Sequence, residues 1–293
     1  MYRRPLITGL GLLALAASLS RADAGITQQE LRFDSAGSTL AGTLHRPARP
    51  VAAVVIVHGS GQERRMSELA ARLARQGIAA FSYDKRGVGA SGGVYAGPEV
   101  GSNNIGADNL ALLAADASAA LTALSAALPA ELPLGLLGFS QAGWIIPLAA
   151  ERNPAARFMV LFSGPLATAR EQLRFQFFTQ GDPAFWETHD EAEVREHIRT
   201  APDRYDFPDT DPRRPLARLA VPGLWLFGGR DVQIPVGLSI ERLDELRAHG
   251  RPYEHQRFPA LGHDLAASDA AVAAAVQWIQ AASNCSSRCS RSP

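Results

Sequence analysis

A serine set among small residues is the first feature of chemical interest in this sequence. Ser140 lies in the stretch "LGFSQAGW", after an apolar run and before a helical pattern. Gly138 and Ala142 flank it two positions away on either side. The stretch differs from Gly-x-Ser-x-Gly only by the additional methyl group of Ala142. A serine on a sharp strand-to-helix turn projects its hydroxyl above the sheet and requires small neighbours. We therefore interpret Ser140 as a nucleophile, with Ala142 making the turn tighter.

A serine hydroxyl reacts only when a base removes its proton and a carboxylate orients that base. Asp231 and His263 each follow a predicted strand, in "LWLFGGRD" and "FPALGH". The order serine, acid, histidine is the one that this mechanism uses on a parallel sheet. We predict that His263 is the base and Asp231 its partner. His58 precedes the nucleophile, and we interpret it as shaping its own loop by hydrogen bonding.

Acyl transfer also needs donors for the negative oxygen that develops in the transition state. The backbone N–H of Gln141, directly after the serine, is one predicted donor. The second is predicted from Ser60 or Gly61 in "VHGSG", the loop after an earlier strand.

The elements that must position these residues alternate along the chain. Continuous β-branched runs such as "VAAVVIVHG" predict strands buried on both faces, and amphipathic segments between them predict helices. This alternation predicts an α/β fold with a mostly parallel sheet flanked by helices. Residues 165–218 are too long for a crossover and rich in aromatic residues, so we predict an inserted helical cap, some of whose aromatic side chains line the pocket.

The motifs "HGSG", "YDKRGVGASGG", "GFSQAGW", "GGRD" and "LGH" resemble those of bacterial esterases and serine aminopeptidase-like hydrolases of the α/β-hydrolase superfamily. The resemblance covers roughly residues 28–282. It implies an eight-stranded sheet, a helical cap, a Ser140–Asp231–His263 triad and no cofactor.

Two other motifs suggest ligands that the surrounding sequence does not favour. Gly87, Gly89 and Gly92 spell G-x-G-x-x-G, but a dinucleotide site needs a helix to begin there, and a Gly- and Pro-broken stretch follows instead. We expect Asp84, Lys85 and Arg86 to form a polar anchor for this loop. His189, Glu193 and His197 have helical spacing. We interpret them as part of a charged, solvent-facing helix surface and not as a metal site.

The first 24 residues have the layout of a secretory signal: Arg3 and Arg4, an apolar run over 6–19, and Ala22-Asp23-Ala24 before cleavage. The run falls short of the roughly 20 residues that span a bilayer. Export to the periplasm or medium is therefore predicted, with no stable membrane association after cleavage.

The remaining chain has 26 basic and 28 acidic residues, against 29 of each in the full sequence of 293. This balance gives no electrostatic reason to expect nucleic acid or an anionic membrane as a partner. Residues 25–282 are predicted to form the hydrolase domain, and 283–293 a disordered tail. Cys285 and Cys289 in that tail suit a local disulfide or free thiols.

These observations favour an exported serine hydrolase, above all a carboxylesterase acting on small or medium acyl esters. A thioesterase or an aminopeptidase-like amidase would use the same triad, and the latter needs a carboxylate such as Glu171 or Asp182 to hold a free amine. A dehalogenase is disfavoured because its nucleophile would be a carboxylate at position 140. A non-catalytic binding protein on this fold is the remaining alternative, from a different functional class.

Overall fold

The chain folds around one sheet of eight strands, as a computed structural model describes it for residues 25–97 and 102–289. The predicted signal, residues 1–24, lies outside the described residues. The strands are β1 Ile26–Ser35, β2 Ser38–Pro47, β3 Ala52–Val57, β4 Ile78–Tyr83, β5 Leu134–Phe139, β6 Ala156–Phe162, β7 Gly223–Gly228 and β8 Tyr253–Phe258. The helices are α1 Ser67–Arg75, α2 Ser102–Ile105, α3 Ala107–Ala127, α4 Ala142–Arg152, α5 Ala169–Thr179, α6 Phe185–Thr188, α7 Glu191–Thr200, α8 Arg213–Leu216, α9 Val236–Ala248 and α10 Asp269–Cys289.

The strand order across the sheet is β1-β2-β4-β3-β5-β6-β7-β8. Strands β3 to β8 run parallel to their neighbours, and the β1–β2 hairpin is joined antiparallel to β4. The predicted α/β fold with an eight-stranded, mostly parallel sheet is confirmed. In such a sheet the carboxyl ends of the strands meet at one edge, where ligand chemistry collects.

Alternate residues of β3 show how the sheet separates two apolar layers. Ala53, Val55 and Val57 pack into a cluster with α3, α4 and α9, while Val54 and Ile56 pack into a cluster with α1 and α10. Because strand side chains point to opposite faces in turn, a continuous apolar run fills both layers at once. The strand ends that carry the site are thus fixed from both sides.

Helix α3 is long and apolar enough to cross a membrane by length and composition. Its apolar side chains are used inside the protein instead. Leu110, Leu121 and Leu124 are fully buried in the cluster that covers one face of the sheet. Helix α3 is therefore a core helix of this fold.

The segment predicted as a cap carries the four helices α5 to α8 between β6 and β7. Its small apolar cluster consists of Phe175, Phe185, Val194 and Ile198, with Leu238 of α9. At the other end, helix α10 continues to Cys289, so the described part of the predicted disordered tail is helical. No Gly or Pro occurs between 269 and 289 to stop that helix.

Candidate active site

Ser140 lies on the turn between β5 and α4 with a backbone φ of +49°. This left-handed conformation is strained for a residue with a side chain, and such strain concentrates at functional turns. Its N–H donates to the Phe162 carbonyl at 3.0 Å, and its carbonyl accepts from Gly143 at 2.8 Å. The turn predicted from the small neighbours of Ser140 is therefore present.

The methyl group of Ala142 is accommodated because position 138 is glycine. Ala142 is fully buried, and a Cβ at Gly138 would lie 2.5 Å from its methyl carbon and 2.9 Å from the Val57 carbonyl oxygen. Two side chains cannot share this space. The methyl group of Ala142 therefore disfavours a side chain at position 138.

Asp231 and His263 meet in space from the loops after β7 and β8. His263 Nδ1 lies 2.8 Å from Asp231 Oδ2. Asp231 is fully buried, and its Oδ1 accepts from the N–H groups of Gln233 at 2.7 Å and Ile234 at 3.1 Å. An ionised carboxylate only accepts hydrogen bonds, so Nδ1 carries the proton and leaves Nε2 of a neutral His263 able to accept one.

Ser140 and His263 line the same cavity, which has a volume of about 320 Å³. Its wall consists of Gly59, Ser60, Glu63, Met66, Phe139, Ser140, Phe162, Gln233, His263, Asp264, Leu265 and Ala266. Within the described part of the chain, no hydrogen bond joins the Ser140 hydroxyl to His263. In enzymes without substrate, catalytic hydrogen bonds are often long and tighten only when substrate binds.

Ser163, which the sequence analysis did not identify, fixes the histidine loop to the sheet. It follows β6, has a φ of +49°, and its hydroxyl donates to the His263 carbonyl at 2.8 Å. The strain at Ser163 is thus associated with placing the imidazole. A serine after a buried apolar strand carries no motif of its own, so only the three-dimensional contact shows this role.

The predicted oxyanion donors lie on two segments beside the nucleophile. Ser60 lines the cavity, whereas Gly61 does not belong to its wall. Gln141 directly follows Ser140 and is 2% exposed. A methyl group at Gly59 would lie 3.8 Å from Ser140 Cβ, so the "HGSG" loop runs close to the reacting hydroxyl. The geometry favours Ser60 over Gly61 as the second donor.

Glu63 is a cavity residue that the sequence analysis missed. Its carboxylate accepts from the Gly59 N–H at 3.0 Å. Burial raises the pKa of the Glu63 carboxyl, and the nearby Lys85 ammonium partly opposes that rise. The cavity therefore holds a second carboxyl group next to the loop that supplies Ser60.

His58, the rival histidine, does not line the cavity. Burial, reinforced by the charge of Lys85, lowers the pKa of His58 to about 3, so the ring is neutral. It packs edge-on against Tyr83 with ring centroids 4.8 Å apart, and its Nε2 has no hydrogen-bond partner among the described residues. His58 shapes its loop by ring packing and by hydrogen bonding to the backbone of Tyr83 and Arg64, in line with the hydrogen-bonding role that the sequence suggested.

The glycines of "RGVGASGG" serve packing around Asp84. A Cβ at Gly89, where φ is +57°, would lie 2.7 Å from the Asp84 carboxylate. That carboxylate accepts from the Ala90 N–H at 2.9 Å and from Arg65. Residues 84–97 form a loop, and no helix begins at the motif. The side chains of Asp84, Lys85 and Arg86 are buried, as expected of an anchor.

His189 and His197, whose spacing is that of a possible metal site on a helix, do not lie on one helix. His189 precedes α7 because Asp190 caps that helix, with its side chain accepting from the Glu193 N–H. The rings of His189 and His197 stack on Phe185 and Phe178, at 4.3 and 4.2 Å between centroids. Among the described residues no group of three His, Cys, Asp or Glu could hold a metal ion.

The aromatic wall of the cavity comes from the sheet, contrary to the expectation for the cap. Phe139 and Phe162, at the ends of β5 and β6, stack with centroids 5.1 Å apart and both line the cavity. The cap residue Trp186 instead donates its indole N–H to the Asp231 carbonyl at 2.8 Å. The cap therefore supports the acid loop from outside the cavity.

Neither carboxylate suggested for holding an amine lines the cavity. Glu171 pairs with Arg242 at 2.6 Å and caps α5 with Thr168. Asp182 caps the turn at Ala184, with its side chain accepting at 2.9 Å. The expectation for Glu171 and Asp182 is not supported by their positions.

The chain matches one family model and many solved structures. A model of the serine aminopeptidase S33 family matches residues 48–189, a span that contains Ser140 but neither Asp231 nor His263. No curated protein matches the chain.

Solved structures of similar shape include hydrolases of several kinds. An esterase of Pyrococcus furiosus is 15% identical, with a TM-score of 0.61 over 88% of this chain and 90% of that one. A dienelactone hydrolase of Anabaena variabilis is 16% identical, with a TM-score of 0.55 over 87% and 96%. An acylaminoacyl peptidase of Pyrococcus horikoshii is 14% identical, with a TM-score of 0.60 over 87% of this chain and 41% of that one. The sheet order and these matches together show that the chain has the α/β-hydrolase fold.

Proposed function

We propose that the protein is an exported serine hydrolase, and specifically a carboxylesterase for small or medium acyl esters. The observation that carries the proposal is the Asp231–His263 hydrogen bond through Nδ1, together with the cavity that His263 shares with the strained Ser140. The cavity of about 320 Å³ lies at the low end of small-molecule sites and suits a short acyl group.

The mechanism follows from the position of each group. His263 Nε2 removes the proton from the Ser140 hydroxyl as its oxygen attacks the ester carbonyl. The N–H groups of Gln141 and Ser60 stabilise the oxyanion, and the buried Asp231 stabilises the imidazolium that forms. His263 then protonates the leaving alcohol. A water molecule, deprotonated by the same nitrogen, releases the acid from the acyl-enzyme.

Replacement of the nucleophile tests the proposal. We expect Ser140→Ala to lose nearly all turnover of p-nitrophenyl acetate and butyrate while keeping its fold, because only the reacting oxygen is removed. A fluorophosphonate probe should label the wild type stoichiometrically at Ser140 and leave Ser140→Ala unlabelled. Ser67→Ala, at an exposed serine that begins α1, is the matched control and should behave like the wild type.

The outcomes separate the functional classes. Esterase activity retained by Ser140→Ala would remove Ser140 from the mechanism. A folded wild type that takes no label and hydrolyses no ester would indicate a non-catalytic binding protein.

An aminoacyl substrate is the second candidate, because Glu63 places a carboxyl group in the cavity wall. A carboxylate there could pair with a free amine on the acyl side. Comparing aminoacyl p-nitroanilides with p-nitrophenyl esters, in wild type and Glu63→Gln, distinguishes the two. Selective loss of anilide turnover in Glu63→Gln would favour the amidase.

Export is part of the proposal and has its own test. Residues 1–24 are the proposed signal, cleaved after Ala24. Expression in a bacterial host, followed by fractionation and N-terminal sequencing, should give a soluble periplasmic or secreted chain that begins at Gly25. A cytoplasmic chain with an intact N-terminus would contradict it.

A further inference from the structure

Lys85 connects the two segments that carry the predicted oxyanion donors. It lies on the loop after β4 and is 2% exposed. Its Nζ donates to the Gly59 carbonyl at 2.6 Å, to the Gly61 carbonyl at 3.2 Å and to Gln141 Oε1 at 3.1 Å. One ammonium group thus contacts both the "HGSG" loop and the residue after the nucleophile.

The bond to Gly59 fixes the direction of the Ser60 N–H. The Gly59 carbonyl and the Ser60 N–H belong to one planar trans peptide, in which the two groups point in opposite directions. Because Lys85 holds the carbonyl on its own side, the Ser60 N–H points to the other side. Ser60 is part of the cavity wall.

The next peptide is held as well, by different groups. The Ser60 carbonyl accepts from the Tyr95 hydroxyl and from Asn104 Nδ2, each at 2.8 Å. Lys85 Nζ lies 5.6 Å from the centre of the Tyr95 ring, within cation–π distance. The loop is therefore fixed at three successive carbonyls, and the Gly59 carbonyl of the donor peptide has the shorter bond to the cation.

The nucleophile side is tied to the same cation. Gln141 is buried between Lys85 and Asn104, because its Nε2 donates to the Asn104 carbonyl at 2.8 Å and to Asn104 Oδ1 at 3.1 Å. Its own backbone N–H is the other predicted donor. A buried side chain held at both ends of its amide keeps that backbone position from moving relative to the loop.

The charge of Lys85 has an electronic effect in addition to its geometric one. A cation that donates to a peptide carbonyl polarises the whole peptide group and strengthens its N–H as a donor. The effect is large only away from water, and Lys85 is buried. Ser60 is thereby a better donor to a developing oxyanion than an ordinary loop amide.

We propose that Lys85 is the positioning residue of the oxyanion hole, setting the direction and donor strength of the Ser60 N–H and linking that peptide to Gln141. The inference rests on the proposed serine hydrolase activity. Lys85 does not touch the substrate. It acts on the transition state through Ser60 and Gln141, which the sequence separates from it by 25 and 56 positions.

The test compares Lys85→Met, which keeps the length and removes the charge, with Lys85→Arg, which keeps the charge. For ester hydrolysis we expect Lys85→Met to lower kcat about 100-fold with KM within about twofold, since a misplaced donor affects the transition state alone. Lys85→Arg should recover part of that loss. Arg213→Met is the control, because it removes a half-buried cation whose partner, Asp211, lies at the cap exit.

A second readout separates positioning from a structural role. Trifluoromethyl ketones form a tetrahedral adduct with the serine and place a negative oxygen in the oxyanion hole. Their inhibition constant should rise in Lys85→Met in proportion to the fall in kcat, while thermal denaturation shows a folded protein. The Arg213→Met control should keep both values.

A third variant keeps the proposal testable if Lys85→Met does not fold. Gln141→Leu retains the backbone N–H but removes the amide that Lys85 holds, and should lower kcat about 10-fold with KM unchanged. Unchanged kcat in a folded Lys85→Met, a loss confined to KM, or unchanged inhibitor affinity would each overturn the proposal. An inactive wild type would instead overturn the proposed function.

Discussion

The strand ends and the cap are built in different ways. The strand ends lie between two large apolar clusters, and they supply Ser140 and the aromatic wall of the cavity. The cap has a small apolar cluster and several ion pairs, including one from Glu171 to Arg242 of α9, and contributes no residue to the cavity wall. The cavity wall is therefore built by the strand ends and the loops that follow them, while the cap contacts the Asp231 loop from outside the cavity.

The largest effect is expected from the carboxylate at the end of β7. Asp231→Asn should lower kcat about 10,000-fold, because an amide favours the wrong tautomer of His263 and cannot stabilise its charged form. Stability should change little, since the amide can still accept from the Gln233 N–H. Ester turnover and thermal denaturation measure the two effects separately. Near-normal turnover would show that the sheet edge does not carry the chemistry.

A smaller effect is expected from the packing under the nucleophile turn. Gly138→Ala should destabilise the protein by about 1–3 kcal/mol, because its Cβ would lie 2.5 Å from that of Ala142. Adding Ala142→Gly should restore part of this loss, whereas Ala142→Gly alone should change stability by less than about 1 kcal/mol. Urea unfolding of the two single variants and the double variant measures the coupling. Additive effects would contradict the shared space.

The smallest effect on catalysis is expected from the ion pair that joins the cap to α9. Arg242→Met should lower stability at pH 7 by about 1–2 kcal/mol, because Arg242 donates to Glu171 through both terminal nitrogens. Its kcat/KM should stay within about twofold of the wild type, since neither residue lines the cavity. A change in kcat/KM well beyond twofold would show that this ion pair affects catalysis, which contradicts its position outside the cavity.

The same ion pair gives the stability a pH dependence of known sign. Burial alone would raise the pKa of Glu171, but the hydrogen bonds from Arg242 and the Thr168 N–H, with the charge of Arg242, hold it below 4.5. The pair therefore stabilises the wild type fully above pH 4.5 and less as the pH falls through the folded-state pKa. In urea unfolding, the difference between wild type and Arg242→Met should shrink over that acidic range.

The fold and the meeting of Ser140, Asp231 and His263 at one edge of the sheet could be predicted because their signals are local. Buried strands appear as continuous apolar runs, and Ser140 and Asp231 follow such runs in "LGLLGF" and "GLWLFG". His263 follows the last strand, "YEHQRF". Parallel strands bring those ends to one edge whatever the intervening sequence contains. The structure accordingly brings Asp231 to His263 and places Ser140 on the same cavity.

The remaining features depend on contacts between distant parts of the chain. The bond from Lys85 to Gln141 spans 56 positions, and that from Ser163 to the His263 carbonyl spans 100. The cap aromatics look alike in sequence whether they line a cavity or pack together. Helix α7 begins at Glu191 because Asp190 caps it, and this excludes His189 from the helical spacing. Periodicity alone reveals none of these outcomes.

Strand β8, at one of the two edges of the sheet, has a consequence for the behaviour of the protein at high concentration. Only its first residue is buried, and Glu254, His255 and Arg257 follow within the strand. An exposed strand edge invites pairing with the edge of another molecule, and charged side chains make that pairing costly. The eight-stranded sheet thus ends in a border that resists extension into intermolecular ribbons.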